Sequence, residues 1–158
     1  MPEFGFQRPI WVHFDTFTGL ETAGIADKKQ LSATIPGVSP TQRTYLVDSV
    51  VVRVLNAAAG GVGDFSVQLL FYGNSTYGDA TLANDRFQGW LSLAAGTDGT
   101  VFTTNLTTLG DHSVSMIYKD EDLSATRKVY LEALIPAGGA ASLDTADSWK
   151  ISVCLIPL

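Results

Sequence analysis

The 158-residue chain is poor in cysteine, in histidine and in charge. Its single cysteine, Cys154, excludes an intrachain disulfide and a zinc site built from cysteines. Charged residues make up 16% of the chain and hydrophobic residues 46%, whereas typical globular proteins carry roughly 25% charged residues. A disordered acidic tail has the opposite composition, so we expect a single folded domain with its own core.

Basic residues and long apolar runs are also scarce. Lys and Arg total 10 against 16 Asp and Glu, for a formal net charge of -6. We expect no nucleic-acid partner, because phosphate neutralisation needs a cationic face. No apolar run approaches the about 18 residues of a membrane helix, and residues 1–9 lack the pattern of a secretory signal. We therefore expect no membrane partner and synthesis in a cytoplasm.

Alternation with a period of two dominates the chain and predicts β-strands. In the first such segment Ile10, Val12 and Phe14 face one way. Trp11 and His13 face the other way. Gly, Pro, Asp and Asn residues separate the segments, as is typical of turns. The nine predicted strands are 10–14, 31–35, 45–55, 64–72, 86–93, 99–106, 113–119, 127–135 and 149–156.

About nine antiparallel strands in one domain predict an all-β fold, a two-sheet sandwich with a jelly roll favoured. An immunoglobulin-like sandwich is the second choice, because the cysteine and tryptophan landmarks of true immunoglobulin domains are absent. We place the sandwich at residues 10–158 and an extended N-terminal arm at residues 1–9. The strand 45–55 is expected to pair with 64–72 across a hairpin of small residues.

Some predicted strands are apolar on both faces. Val50, Val51 and Val52 are consecutive in one of them, and segments 64–72 and 149–156 also contain runs of consecutive apolar residues. A solvated sandwich face alternates polar and apolar residues. Either a long loop of the same chain or a second protein therefore covers these strands, and composition does not decide between the two.

The sequence offers little for catalysis. His13 and His112 are the two histidines, and a catalytic triad needs a nucleophile, a base and an acid in mutual contact. Ser113 follows His112, but neighbouring strand residues point to opposite faces. Cys154 lies in an apolar run and is expected to be a buried hydrophobic residue, not a reactive thiol. We expect no enzyme activity, no catalytic residue and no cofactor.

The densest acidic cluster is Asp120, Glu121 and Asp122. Calcium takes about six to eight oxygen ligands, so three carboxylates in one loop suggest such a site. Their spacing does not match an EF-hand loop, and Lys119 competes as a partner. We interpret the cluster as a solvated turn between two strands and expect no metal site.

Aromatic residues suggest an alternative function. Trp90 next to Gly89, and Tyr77 in a polar loop, would suit a platform for stacking on sugars in a lectin-like carbohydrate-binding module. Trp11, Trp149 and Tyr72 would extend this platform. The alternative for Trp11 and Trp149, which stand at strand starts, is a role as core or rim anchors.

The strand pattern and composition of residues 45–158 resemble those of a known family. Residues 46–54 read LVDSVVVRV, residues 64–69 read DFSVQL after a turn of small residues, and residues 149–157 read WKISVCLIP. This pattern resembles the β-sandwich head decoration (cement) proteins of tailed bacteriophages. The resemblance implies a non-enzymatic virion structural protein, made in the host cytoplasm. It would be a homo-oligomer, often a trimer, on the capsid exterior, which binds the major capsid protein and stabilises the particle.

The N-terminal arm has the features of a docking segment, although a frayed terminus is the alternative. Pro2 and Pro9 keep it extended, and Phe4 and Phe6 lie on one side of an extended chain. We expect the arm to dock on a neighbouring chain. The predicted partner-binding residues are Phe4, Phe6, Trp11, Tyr77 and Trp90.

Overall fold

The computed structural model describes residues 8–18, 28–56, 67–77, 87–93, 101–105, 117–134 and 148–158. These ranges contain ten β-strands and no helix. Phe4, Phe6 and His112 lie outside them. The strands are β1 (Ile10–His13), β2 (Phe17–Thr18), β3 (Lys29–Thr34), β4 (Thr44–Asn56), β5 (Val67–Tyr72), β6 (Phe87–Leu93), β7 (Val101–Asn105), β8 (Ile117–Lys119), β9 (Lys128–Leu134) and β10 (Ser148–Pro157).

The strands form two antiparallel sheets. The six-stranded sheet has the order β1-β10-β4-β7, with β2 also paired to β10 and β8 also paired to β4. The four-stranded sheet has the order β3-β9-β5-β6. The prediction of an all-β, two-sheet antiparallel sandwich is confirmed. The choice between a jelly roll and an immunoglobulin-like arrangement stays a prediction.

The strand pairs are nested in the sequence. β5 pairs with β6, β4 with β7 and β8, β3 with β9, and β1 and β2 with β10. These pairs describe one long antiparallel hairpin whose tip is β5 and β6. The hairpin is rolled up, because β10 also pairs with β4 and β9 also pairs with β5. Each sheet thus joins strands that are far apart in the sequence.

The predicted hairpin between 45–55 and 64–72 is wrong. β4 pairs with β10 along one edge and with β7 and β8 along the other, whereas β5 lies in the four-stranded sheet. Both edges of β4 are therefore occupied by other strands. The connection from Asn56 to Val67 is long enough to cross the roughly 10 Å between packed sheets.

The core lies between the two sheets. The predicted alternation at the first strand is confirmed, because Val12 and Phe14 are buried while Trp11 and His13 are exposed. Phe71 of the four-stranded sheet meets Tyr118 of the six-stranded sheet edge to face, with ring centroids 6.3 Å apart. Fully buried side chains from both sheets complete this core, among them Tyr45, Val47, Val50, Val52, Leu69, Val129, Leu131, Ala133, Ile151, Val153 and Leu155.

Candidate assembly surface

The outer face of the six-stranded sheet carries apolar side chains. Along β10, Ile151, Val153 and Leu155 belong to the core, so Ser152 and Ile156 face outward. Cys154 also points outward, yet it is buried, as predicted. Burial raises the pKa of its thiol, which makes Cys154 a poor nucleophile at neutral pH.

One end of this face forms an apolar patch, which we call the Ile117 patch. It consists of Ile117 on β8, Leu46 opposite it on β4, Ile156 opposite Leu46 on β10, and Leu158 two residues beyond Ile156. Ile117 is 54% exposed and Leu158 is 57% exposed, while Leu46 and Ile156 are half-buried. Side chains in adjacent register across a sheet lie close together. The patch is therefore a continuous apolar area open to solvent.

Trp11 lies on the same outer face, at the edge strand β1. Its side chain is 42% exposed, and its ring stacks parallel to that of His13 with centroids 6.4 Å apart. His13 Nδ1 lies 2.8 Å from Ser152 Oγ. Trp11 is thus held in place and exposed, as a contact residue would be, and its role in partner binding stays a prediction.

The contact between His13 and Ser152 supplies only part of a hydrolytic site. Nucleophilic catalysis also needs an acid that orients the base and donors for the oxyanion. In the described ranges, Ser152 is the side chain that hydrogen-bonds to His13, and no carboxylate does so. The pair lies on an exposed sheet face, where its simplest effect is to fix the His13 ring beside Trp11.

Tyr77 lies over the outer face of the four-stranded sheet, in a tyrosine cluster with Tyr72 and Tyr130. Its ring meets both others edge to face, with centroids 5.9 Å away in each case, and its hydroxyl donates to the Leu31 carbonyl at 2.8 Å. Tyr77 has a φ of 45°, which a tyrosine rarely adopts, so the cluster holds a strained backbone in place.

The tyrosine cluster covers part of the four-stranded sheet with its own chain. Tyr72 and Tyr130 are paired neighbours on β5 and β9, and Tyr77 from the loop after β5 closes over them with only 8% of its surface exposed. A loop of the same chain therefore covers this end of β5. Tyr77 does not present a ring face for sugar stacking in this arrangement, and its role in partner binding stays a prediction.

Glu132 is a buried carboxylate on the same outer face. It accepts hydrogen bonds from the Tyr72 hydroxyl at 3.0 Å and from Gln30 Nε2 at 2.9 Å, and Lys28 Nζ lies 3.2 Å away. Burial, and secondarily the Glu132 charge, raise the pKa of Tyr72. These three partners satisfy the carboxylate, which therefore links β3, β5 and β9 through buried polar contacts.

The acidic cluster lies between β8 and β9, as predicted, and Glu121 is exposed, but the interpretation of the cluster as solvated is wrong for Asp120. Asp120 is fully buried, and its Oδ2 lies 3.4 Å from Nη1 of the equally buried Arg127. The backbone N–H groups of Asp122 and Lys128 donate to the two Asp120 oxygens at 2.9 Å. Arg127 and these N–H groups replace water around the charge, which makes its burial tolerable.

Asp122 ties the same turn to β9. The Tyr130 hydroxyl donates to Asp122 Oδ2 at 2.7 Å, and this hydrogen bond is the main reason why the pKa of Asp122 is lowered. Arg127 donates to the carbonyls of Asp122 and Ser124. Leu123 stands at the tip of this braced turn with 91% of its surface exposed. No group of His, Cys, Asp and Glu residues suited to a metal occurs in the described ranges.

The remaining predicted site residues are Trp90, Phe4 and Phe6. Trp90 lies on β6 opposite Leu70 of β5, in the four-stranded sheet, whereas Trp11 belongs to the six-stranded sheet. Phe4 and Phe6 lie outside the described residues. The site residues that sequence reasoning missed are the exposed apolar ones, Ile117, Leu123 and Leu158.

We predict that the folded protein forms less phenolate at pH 10 than the unfolded chain does. All five tyrosines have pKa values raised above the ordinary 10.0, with burial as the largest cause, and that of Tyr45 reaches about 12. A tyrosine whose pKa is higher in the folded than in the unfolded state contributes to the free energy of unfolding, and this contribution is fully present below pH 10. It is lost as the pH rises through the folded-state pKa. For Tyr45 this loss falls between pH 10 and about 12.

Ultraviolet absorbance of phenolate during an alkaline titration checks this prediction. The urea-unfolded chain is the control, in which all five tyrosines should ionise near pH 10. Half-ionisation of the folded protein near that pH would contradict the buried arrangement.

No helix in the described part of the chain is long and apolar enough to span a membrane.

No protein-family model and no curated protein matches the sequence. Among solved structures, the chain is similar to one from Desmodium yellow mottle tymovirus, with a TM-score of 0.30 and 16% identity over 100% of this chain and 87% of that chain. It is similar to one from turnip yellow mosaic virus, with a TM-score of 0.32 and 12% identity over 96% of each chain. For Israeli acute paralysis virus the TM-score is 0.29, with 11% identity over 96% of this chain and 72% of that chain. Likeness at this level assigns no family to the chain.

Proposed function

We propose that the chain is a non-enzymatic structural protein of a virus particle. In this proposal it forms a homo-oligomer, with a trimer favoured, and binds the major capsid protein on the capsid exterior as a decoration or cement protein. The observation that carries the proposal is the exposed apolar surface on the six-stranded sheet, composed of Trp11 and the Ile117 patch.

The placement of the buried charged side chains supports a binding function over a catalytic one. Asp120, Arg127 and Glu132 are buried and used in contacts that hold strands and turns together. General acid–base catalysis needs such groups to face a substrate. Large apolar side chains are exposed on β1, on β8 and at the tip of the braced turn, namely Trp11, Ile117 and Leu123.

The nested strand pairing supports a jelly roll. If β1 and β2 count as one strand and β7 and β8 as one, eight strands remain, and their nested pairs build the two sheets. A jelly roll has about eight strands in two sheets. An immunoglobulin sandwich pairs several consecutive strands within one sheet, whereas β5 and β6 are the one consecutive pair joined in the described ranges.

An exposed apolar sheet face favours a protein partner on energetic grounds. Each Å² of apolar surface removed from water contributes about 25 cal/mol, and a standard interface buries roughly 800 Å² on each partner. Association costs about 4–15 kcal/mol, so a single small patch binds weakly. Contacts made by several copies together raise the effective concentration and strengthen binding.

A carbohydrate-binding module is the alternative. Its support is the exposed Trp11 ring stacked on His13, since aromatic rings stack on sugars. The platform of Tyr77 and Trp90 loses the Tyr77 ring, which is buried in the tyrosine cluster. Glycan-array binding that disappears in Trp11→Ala or Trp90→Ala would favour this function over the virion proposal.

The molecular mass in solution tests the oligomer. Size-exclusion chromatography with light scattering should give a multiple of 16.9 kDa, with three copies favoured. A monomer at every concentration would contradict the proposal. Closed shells formed by this chain alone would make it the shell subunit and would contradict the decoration role.

A further inference from the structure

We propose that the Ile117 patch binds the N-terminal segment, residues 1–7, of a second copy of this chain. The inference rests on the homo-oligomer of the proposed function and names the surface that joins its copies.

The chain enters β1 at the end of the sheet that carries the patch. Ile10 pairs with Leu155, and His13 pairs with Ser152, in antiparallel register. From Ile10, the chain direction back through Pro9 and Arg8 is therefore toward the end of β10, where Ile156 and Leu158 lie. Arm and patch thus belong to the same end of the six-stranded sheet.

An extended arm reaches beyond its own sheet. Pro9 fixes its own φ, and the residue before a proline, here Arg8, is restricted to extended conformations. At about 3.3 Å per residue, an extended arm would put Phe6 about 13 Å beyond Ile10. β10 and Leu158 extend only about 10 Å beyond Leu155 by the same rule. An extended arm would therefore carry Phe4 and Phe6 past the end of β10, within reach of a neighbouring copy.

The chemistry of segment and patch matches. Phe4 and Phe6 are two residues apart, so an extended chain presents both rings on one side. The patch is three strands wide, about 10 Å from Ile156 to Ile117 at the usual strand spacing. A phenylalanine buries roughly 150–250 Å². Residues 1–7 carry one charged side chain, Glu3, so docking desolvates little charge.

An arm that leaves one copy and binds the patch of the next gives a head-to-tail contact. Such contacts close into rings when the rotation between copies allows it. Every copy then gives one arm and receives one, which is how three copies can be joined without a two-fold contact. The proposal thus supplies a route to the favoured trimer.

Disulfide trapping between two single variants tests the contact. A full-length Phe6→Cys chain, isotopically labelled, is mixed with an unlabelled Ile117→Cys chain and oxidised. We expect mixed disulfide dimers in which position 6 of a labelled chain is joined to position 117 of an unlabelled chain, identified by mass spectrometry. The control replaces Ile117→Cys by Lys150→Cys, which is exposed on the same sheet at its other end, and should give at least several-fold fewer mixed dimers.

Light scattering on two further variants keeps the test independent of cysteine chemistry. Ile117→Asp and the double variant Phe4→Ser with Phe6→Ser should each lower the average mass toward 16.9 kDa. Thr34→Asp, which adds the same charge at an exposed position of the other sheet, should leave the mass unchanged. Circular dichroism confirms that each variant is folded.

The outcomes separate this inference from the proposed function. An unchanged oligomer in both variants, or equal trapping at Ile117 and Lys150, would overturn the arm contact and leave the oligomer standing. Exclusively intrachain disulfides in the Phe6→Cys, Ile117→Cys double variant would place the arm on its own subunit and would also overturn it. A wild-type protein that is monomeric throughout would refute the proposed function itself.

Discussion

Arg127→Met is expected to lower the free energy of unfolding by about 3–5 kcal/mol. The substitution keeps a long side chain but leaves Asp120 buried without its cation, 3.4 Å from where Nη1 was. It also removes the donors to the carbonyls of Asp122 and Ser124, which brace the turn. Urea denaturation followed by circular dichroism measures the loss.

Lys119→Met is the matched control for this prediction. Lys119 Nζ lies 3.9 Å from Glu121 Oε1, and the two side chains are 57% and 38% exposed. Exposed pairs contribute about 0–1 kcal/mol, so this change should be nearly neutral. If the two variants lost the same stability, the burial of the Asp120–Arg127 pair would not be what holds the turn.

Phe71→Ala is expected to destabilise the protein by about 3–5 kcal/mol. Phe71 is fully buried on β5 and contacts the Tyr118 ring of β8, so the change opens a cavity between the two sheets. Phe71→Leu keeps most of the apolar volume and should cost under about 1.5 kcal/mol. Equal effects of the two changes in urea denaturation would contradict this close packing.

The strand content was predictable because its signal is local. The alternation of Ile10, Val12 and Phe14 with exposed Trp11 and His13 is a property of a few neighbouring residues, and burial confirms it. The described ranges contain ten strands, where nine were expected for the chain. β2 was not predicted because two residues, Phe17 and Thr18, show no periodicity.

Strand pairing was not predictable in the same way. The hairpin expected between 45–55 and 64–72 follows from proximity in the sequence, but β4 instead pairs with β10 and with β7 and β8. A continuous run of apolar residues predicts a strand that is buried on both faces. It does not indicate which other strand pairs with it. Register is set by the whole sheet.

The buried charges were missed for a different reason. Asp120 looked like a solvated turn residue because turns usually are solvated, and its burial depends on Arg127 folding back onto it. Glu132 carried a usable signal, since it is a single acid within the otherwise apolar part of a strand. An acid in such a place requires donors nearby, which the structure supplies as Tyr72, Gln30 and Lys28.

The exposed apolar residues escaped sequence reasoning because exposure depends on neighbours. Ile117 and Leu158 look like ordinary strand residues, and only the register beside Leu46 and Ile156 joins them into one patch. Tyr77 shows the converse: a polar loop suggested an exposed ring, and the ring is buried against Tyr72 and Tyr130.

Co-sedimentation with capsids tests the central claim most directly. In the proposed function the partner is a shell of the major capsid protein, and the assay compares wild type with Trp11→Ser and with Thr34→Asp. We predict that wild type and Thr34→Asp pellet with the shells at a fixed ratio to capsid subunits, while Trp11→Ser pellets less. Wild-type protein that stays in the supernatant at saturating concentrations would contradict the account.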